Sequence, residues 1–344
     1  MDLKQLKALV TVVEVGSVTR AAELLHLVQP AVTRQIRTLE QEFGVPLFER
    51  TRHGMRPTEA GASLAERARR VLTELDRARA ELAPAPGVVT GIVTVGLLES
   101  TAGLLAEPLV SAVLHDHPGI ELRLLTAYSG HLQQWLDDGD LDLSLLYNLT
   151  NAPSLNVTPL VREQLWVAAP TADALRADSP VPLAEVAARP FVMPTAGHAL
   201  RALITGAARE AGVELEVSVQ TNSMPVQKDL VRGGRGWTIL PAVGIADDVT
   251  LSAAPLTGPE VWRSIVLGAP RAGRSTPAVE AVARELVHQV RTSVHNGRWP
   301  SARLAERAPW RAGMRNGLPR RRQDPGRSRG EGVEGDRDEQ QWNG

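Results

Sequence analysis

Apolar residues recur through the first fifty positions at intervals of three and four, the period of helices with one buried face. Leu3, Leu6, Val10 and Val13 mark a first helix, which Gly16-Ser17 interrupts. Ser17 is placed to cap a second helix from Val18 to about Leu25, since its hydroxyl can accept from a free N–H of the first turn. Ala21 and Ala22 are small enough to let a neighbouring helix come close. Val32, Ile36, Leu39 and Phe43 set the inner face of a third helix, with Pro30 in its first turn and Gly44 at its end. Leu47 and Phe48 then anchor a small hairpin. A second apolar series, Leu64, Ala68, Val71, Leu75, Ala78 and Leu82, steps alternately by four and three. It predicts one long helix over 58–82, begun by Thr58, with a seam suited to pairing two copies of the chain.

Ala83-Pro84-Ala85-Pro86-Gly87 breaks that helix. Beyond it, short apolar runs alternate with helical ones. Strands are expected at Val93–Leu97, Ile120–Leu125 and Leu141–Leu146, with helices between them. The cycle restarts at Phe191–Met193 and ends at Trp237–Leu240. Strand–helix–strand order with short turns predicts parallel pairing. Two such units joined by extended segments, Thr158–Ala168 and Val261–Ala269, predict two α/β lobes with a hinge and a cleft between them. The expected architecture is α/β overall: residues 1–57 an N-terminal helical unit with a wing, 58–87 a linker helix and hinge, 88–295 the two lobes. From 296 to 344 the pattern collapses into Arg, Gly, Pro and Glu, and a disordered tail is expected.

The third helix leaves Gln29, Thr33 and Arg37 on one polar face, with Pro30 and Arg34 beside them. Amide, hydroxyl and guanidinium groups are those that pair with base edges and phosphates in a major groove, and two short helices with a tight turn form a helix-turn-helix. Arg50 and Arg52 gather positive charge at the hairpin tip, suited to phosphate contact. Net charge adds nothing to this picture. The chain carries 38 Lys and Arg against 39 Asp and Glu, and residues 1–60 hold eight basic and seven acidic side chains, so a DNA footprint has to come from clustering.

These residues also carry a resemblance. The run SVTRAAELLHLVQPAVTRQIRTLEQEFGVPLFERTRHGMRPTEAG is similar to the winged helix-turn-helix of LysR-type transcriptional regulators. HPGIEL, LDLSLLY and LVRGGRGWTILP resemble the effector-binding domain of the same family, itself similar to type II periplasmic binding proteins. SGHLQQWL and LLYN look like the branch of nitrogen-assimilation-type regulators. The resemblance implies operator contacts at Gln29, Pro30, Thr33, Arg34, Arg37, Arg50 and Arg52, and pairing of two subunits through the linker helix. It further implies assembly as a dimer or tetramer on double-stranded DNA. It places a small-molecule effector between the lobes, at Ser100, Thr101, Ser129 and Thr195. Turn chemistry adds Tyr147 and His198 to that pocket. Two positions depart from the family pattern: Val28 stands where a small polar cap is usual, and Thr33 where Ser is commoner. No Arg is evident at the front of the helices that open on the cleft, so a dianionic effector is not strongly indicated.

Other chemistries find little support. With no cysteine, disulfides, Fe–S clusters, thiolate zinc sites and a cysteine nucleophile are excluded. Asp138, Asp140 and Asp142 mimic the start of a calcium loop, but Leu143 and Leu149 stand where Gly and Glu are needed. His115 and His117 lack a third ligand, and the glycines at 233, 234 and 236 form no phosphate loop. No catalytic residue, metal or cofactor is expected. MDLKQLKALV breaks any apolar run with charge, and no stretch of about 18 uncharged apolar residues occurs, so a cytoplasmic protein with no membrane partner is expected. The competing reading is a metabolite-binding or catalytic α/β protein whose N-terminal helices only mediate assembly.

Overall fold

The computed structural model describes residues 1–52, 54–82, 88–149, 152–271 and 275–305. The break at 83–87 and residues 306–344 lie outside them.

Helix α1 (Leu3–Val15) begins at a reciprocal cap: the Gln5 N–H donates to the Asp2 carboxylate at 2.9 Å, and the Asp2 N–H donates to the Gln5 side chain at 2.8 Å. Ser17 starts α2 (Val18–Leu24), accepting from the Arg20 N–H at 3.3 Å. Helix α3 (Gln29–Phe43) has no side-chain cap at Val28 and ends at a left-handed Gly44. Leu9, Ala21, Val32, Leu39 and Leu47 close a core among the three helices and the start of the hairpin β1 (Phe48–Thr51) and β2 (Gly54–Pro57). Two expected core positions stay outside it. Leu3 is 39% exposed and Phe43 45%, because both occupy terminal turns that extend past the packed centre.

Thr58 joins the hairpin to α4 (Glu59–Leu82): its hydroxyl donates to the Pro46 carbonyl at 2.8 Å and accepts from the Gly61 N–H at 3.0 Å. Helix α4 then lies so close to the chain entering β1 that a Cβ at Gly61 would stand 1.9 Å from the Leu47 carbonyl oxygen. Ala65 and Ala68 are buried against the first helices, with Leu64 packed beside them. The expected seam is therefore divided. Its first two positions serve the chain's own core, while Val71 is 48% exposed and Leu75 half-buried.

The first α/β unit comprises β3 (Thr90–Leu98), α5 (Glu99–Asp116), β4 (Gly119–Ala127), α6 (Ser129–Asp138) and β5 (Leu143–Tyr147). Strand β3 runs parallel to both β4 and β5. Strand β6 (Leu155–Pro170) leads to a second unit: β7 (Val181–Pro182), α7 (Leu183–Ala187), β8 (Phe191–Met193), α8 (Ala199–Ala211), β9 (Val217–Gln220), α9 (Met224–Arg232), β10 (Thr238–Pro241) and β11 (Leu251–Thr257). Strand β12 (Trp262–Pro270) returns to the first unit, which α10 (Pro277–His295) covers. The main sheet has the order β4-β3-β5-β12-β6-β11-β7, and β8 pairs with β9 in a separate parallel ladder.

Two hydrophobic cores result, one around Leu97, Leu143 and Leu286 and the other around Phe191, Ile204 and Ile239. Strand β6 passes through both, contributing Leu155, Leu160 and Val161 to the first and Leu165 to Ala169 to the second. Its antiparallel partner β12 crosses with it, Arg263 standing opposite Glu163. These two strands are the expected connections between lobes, and the middle of β6 with the start of β12 forms the floor of the cleft.

The ordered chain extends past the expected boundary at 295. Trp299 is 2% exposed, and β13 (Ala302–Leu304) adds to β6 opposite Val161 to Glu163. The Trp166 indole N–H donates to the Ser301 hydroxyl at 2.7 Å. A three-residue strand and one tryptophan in a polar stretch are too short to register as a periodic pattern.

Candidate functional sites

The polar face of α3 is presented outward. Gln29, Pro30, Arg34 and Arg37 are exposed, and Thr33 is half-buried between them and the core. The Gln29 amide donates to the Thr33 hydroxyl at 3.0 Å, while that hydroxyl donates to the Gln29 carbonyl at 3.1 Å. Amide and hydroxyl are thus pre-arranged as one unit, leaving the Gln29 side-chain oxygen open. Arg50 and Arg52 stand exposed on the hairpin that follows. Among the described residues no carboxylate pairs with Arg34, Arg37, Arg50 or Arg52. The hairpin is held against the helices by the Met55 N–H donating to the Gly16 carbonyl at 2.8 Å. Gly54 sits at φ +124° there, and a Cβ on it would meet that same oxygen at 2.4 Å.

Between the lobes, Ser100, Tyr147 and His198 line a cleft together with Arg263. The space among these side chains, mouth included, is about 420 Å³. As it stands the cleft holds a few waters or a small ligand.

Three of the expected cleft residues are elsewhere. Thr101 is fully buried, its hydroxyl donating to the Leu98 carbonyl at 3.0 Å, because α5 begins at Glu99 and draws Thr101 into its first turn. Ser129, 4% exposed, accepts from the Tyr147 N–H at 3.2 Å and so ties α6 to β5. Thr195 is off the lining, its carbonyl accepting from the His198 N–H at 3.3 Å.

The floor is built by residues that turn chemistry did not indicate. The Arg263 guanidinium donates to the Glu163 carboxylate at 2.6 and 2.7 Å and to the Ser100 hydroxyl at 2.9 Å, and lies 5.2 Å from the centre of the Tyr147 ring. Glu163 is fully buried and Arg263 3% exposed at its side chain. The other Glu163 oxygen accepts from the Val243 N–H at 2.9 Å. An arginine does stand in the cleft, then, on a strand rather than at a helix front, where none was expected. Burial, followed by the charge of Arg263, pushes His198 down to about 4, so its ring is neutral at pH 7. Burial raises the Tyr147 phenol, with Arg263 and the Leu200 backbone N–H working against it. The sequence signal for this pair was weak: Glu163 lies between Arg162 and Gln164, and Arg263 between Trp262 and Ser264, so neither stands out as a lone charge in an apolar run.

Asp138 and Asp140 lie near Glu66, their carboxylates within 4.8 Å of one another. Arg70 fills that space, 3.3 Å from Asp138 and 3.8 Å from Asp140, so the three acids form an ion-pair cluster.

Family models match most of the chain: a bacterial regulatory helix-turn-helix of the lysR family over residues 3–62, and a LysR substrate binding domain over 86–291. The chain is 30% identical over 301 residues to the nitrogen assimilation regulatory protein nac of Klebsiella aerogenes, covering 86% of this chain and 98% of the relative. It is also 30% identical over 296 residues to the DNA-binding transcriptional dual regulator OxyR of Escherichia coli K12, covering 82% and 95%. Among solved structures, a full-length OxyR variant from Pseudomonas aeruginosa matches with a TM-score of 0.63 at 22% identity, covering 90% of this chain and 99% of that one. CbnR complexed with its target DNA matches with a TM-score of 0.65 at 24% identity, covering 85% and 100%. No helix among the described residues is long and apolar enough to cross a membrane.

Proposed function

The chain belongs to the LysR family of bacterial regulators, and from that premise we propose how its parts divide the work. It is a DNA-binding transcriptional regulator with an effector-binding domain, not an enzyme. Membership is of the family rather than of one branch, since the nac and OxyR relatives stand at the same identity.

Residues 1–57 read the operator. Helix α3 enters the major groove with Gln29, Pro30, Thr33, Arg34 and Arg37 toward the bases and phosphates, and Arg50 and Arg52 on the wing meet the backbone. The observation that carries this reading is the outward face of α3, where amide, hydroxyl and two guanidiniums stand with no carboxylate among the described residues to neutralise them. Helix α4 pairs two subunits through its second half, where Val71 and Leu75 remain uncovered by the chain's own core. Two reading heads on one frame suit an operator of two half-sites. Residues 88–305 hold a small-molecule effector between the lobes, at Ser100, Tyr147 and His198, and the protein works in the cytoplasm as a dimer or tetramer. Lacking any cysteine, the chain does not sense by thiol oxidation.

A gel shift on the cognate operator tests the assignment. Thr33→Ala and Arg34→Ala are each expected to weaken binding by about 1–3 kcal/mol. Wild-type affinity is expected to fall steeply between low and moderate salt, as released counterions require. Undiminished binding by both variants removes α3 from the interface.

A further inference from the structure

The cleft offers two places where an anion would ordinarily be held, and the chain fills both with its own carboxylates. The first is Arg263, whose guanidinium is already met by Glu163 on the neighbouring strand. The second is the N-terminus of α9, where Pro225 has no N–H and Ser223 takes that of Val226, leaving the Met224 N–H as the donor open to negative charge. There Glu99, from the first lobe, accepts from the Met224 N–H at 3.3 Å through one of its two oxygens. The other oxygen of Glu99 has no partner among the described residues, and the side chain lines the cavity.

We propose that the ligand of this cleft is a small organic amine, its ammonium seated against Glu99 and its carbon body among Leu98, Met224 and Leu240. The proposal rests on the cleft being the effector site and adds the chemical class of the effector. Charge in and under the cleft supports it. Glu99 and Glu163 are opposed by Arg263 alone, and His198 brings no positive charge at pH 7 because its ring is neutral. An incoming carboxylate or phosphate would meet two fixed carboxylates with no cation left for it. An ammonium would find one carboxylate oxygen open, in a site where burial strengthens the attraction. A space of about 420 Å³, mouth included, suits a short chain or a single ring.

The full chain is titrated calorimetrically and by thermal shift at pH 7.5 with butylamine and phenethylamine. Valerate, 3-phenylpropionate and the matching neutral amides are run as counterparts. At least tenfold tighter binding of the amines is expected, with that preference lost in Glu99→Gln, which keeps an acceptor for Met224 while removing the charge. Operator binding by Glu99→Gln shows that the variant is folded. If carboxylates or amides bind as tightly as the amines, or amine binding survives Glu99→Gln, the amine assignment is overturned. If carboxylate binding is moreover lost in Ser100→Ala, the cleft still stands as the effector site. Should none of these compounds bind, the amine assignment also falls. Failure of a broad metabolite panel to give any shift sensitive to Ser100→Ala would remove the cleft reading as well.

Discussion

Replacing one member of the Glu163–Arg263 pair leaves the other charge buried between the lobes without its partner. Neither side chain reaches water appreciably, at 0% and 3% exposure. In Glu163→Ala the guanidinium keeps only the Ser100 hydroxyl and the Tyr147 ring face, and the Val243 N–H loses its acceptor. In Arg263→Ala the carboxylate keeps only the Val243 N–H. Breaking a buried pair in this way costs about 3–5 kcal/mol. At roughly 2–4 °C per kcal/mol for a domain of this size, each single variant is expected to melt about 6–20 °C lower. Glu163→Met combined with Arg263→Met removes both charges at once and fills the volume with apolar atoms. That double variant loses the charge-assisted hydrogen bonds to Val243 and Ser100, about 1.5–3 kcal/mol each, but leaves no unpaired charge. Urea unfolding followed by tryptophan fluorescence, applied to the two Met singles and the double, gives the coupling energy directly. A coupling of about 3 kcal/mol or more is expected. One below about 1 kcal/mol, or a double variant as unstable as the sum of the singles, would refute the view that this pair locks β6 to β12 at the hinge.

Two further outcomes follow from local geometry. Gly61→Ala forces a methyl to within 1.9 Å of the Leu47 carbonyl, and overpacking of this kind costs about 1–3 kcal/mol or more. A lower melting temperature and weaker operator binding are expected together, since α4 has to move away from the hairpin. His198 titrates at about 4 in the folded protein against about 6.5 unfolded, so the unfolded chain binds more protons between those values. Stability due to neutral His198 is complete above pH 6.5 and is lost as pH falls toward 4, by on the order of 2 kcal/mol after discounting its partial exposure. His198→Asn keeps a capping acceptor for the Leu200 N–H and is expected to flatten that part of the stability–pH curve; an unchanged slope would reject the assignment.

The N-terminal unit was legible because its information is local. Ser17, Pro30 and Gly44 punctuate three helices, and each acts within one turn of its own position. The alternation of strands and helices was legible for the same reason, and so was the role of β6 and β12 as connections. The cleft was much less so. Turn chemistry identified hydroxyls at helix starts, but it could not tell which of them would be taken internally: Thr101 was taken by its own helix start and Ser129 by the neighbouring strand β5. The residues that make the floor come from strands a hundred positions apart, so their meeting depends on register rather than on spacing. Glu99 and Met224 meet only because two lobes close, which no segment encodes alone. The linker seam misled in a different way: a four-three repeat does not say whether its partner is a second subunit or the chain's own core, and here it is first one and then available to the other.

Helix α4 is gripped from two sides by consecutive residues. Arg69 reaches Glu14 on α1 at 3.3 Å, and Arg70 reaches Asp138 at the end of α6. Since α6 begins next to the cleft, where Ser129 holds the Tyr147 backbone, one rigid ten-residue helix connects the cleft wall to the linker. Arg70 also offsets the mutual repulsion of Glu66, Asp138 and Asp140, of which Asp140 is already raised, first by burial and then by its acidic neighbours. Arg70→Ala removes the cation that sits among them and leaves Asp140 the weaker influence of Arg69. Arg70, Asp138 and Asp140 are about one-third exposed and Glu66 about half, so a loss on the order of 1 kcal/mol is expected at pH 7. The sign of its pH dependence is the more telling quantity. Without Arg70 the Asp140 carboxyl is raised further, the folded chain binds a proton that the unfolded chain releases, and the penalty shrinks as pH falls from 7 to 5. Urea unfolding at both pH values measures this, and an equal loss at the two would show that Arg70 holds α4 to the lobe by packing rather than by charge.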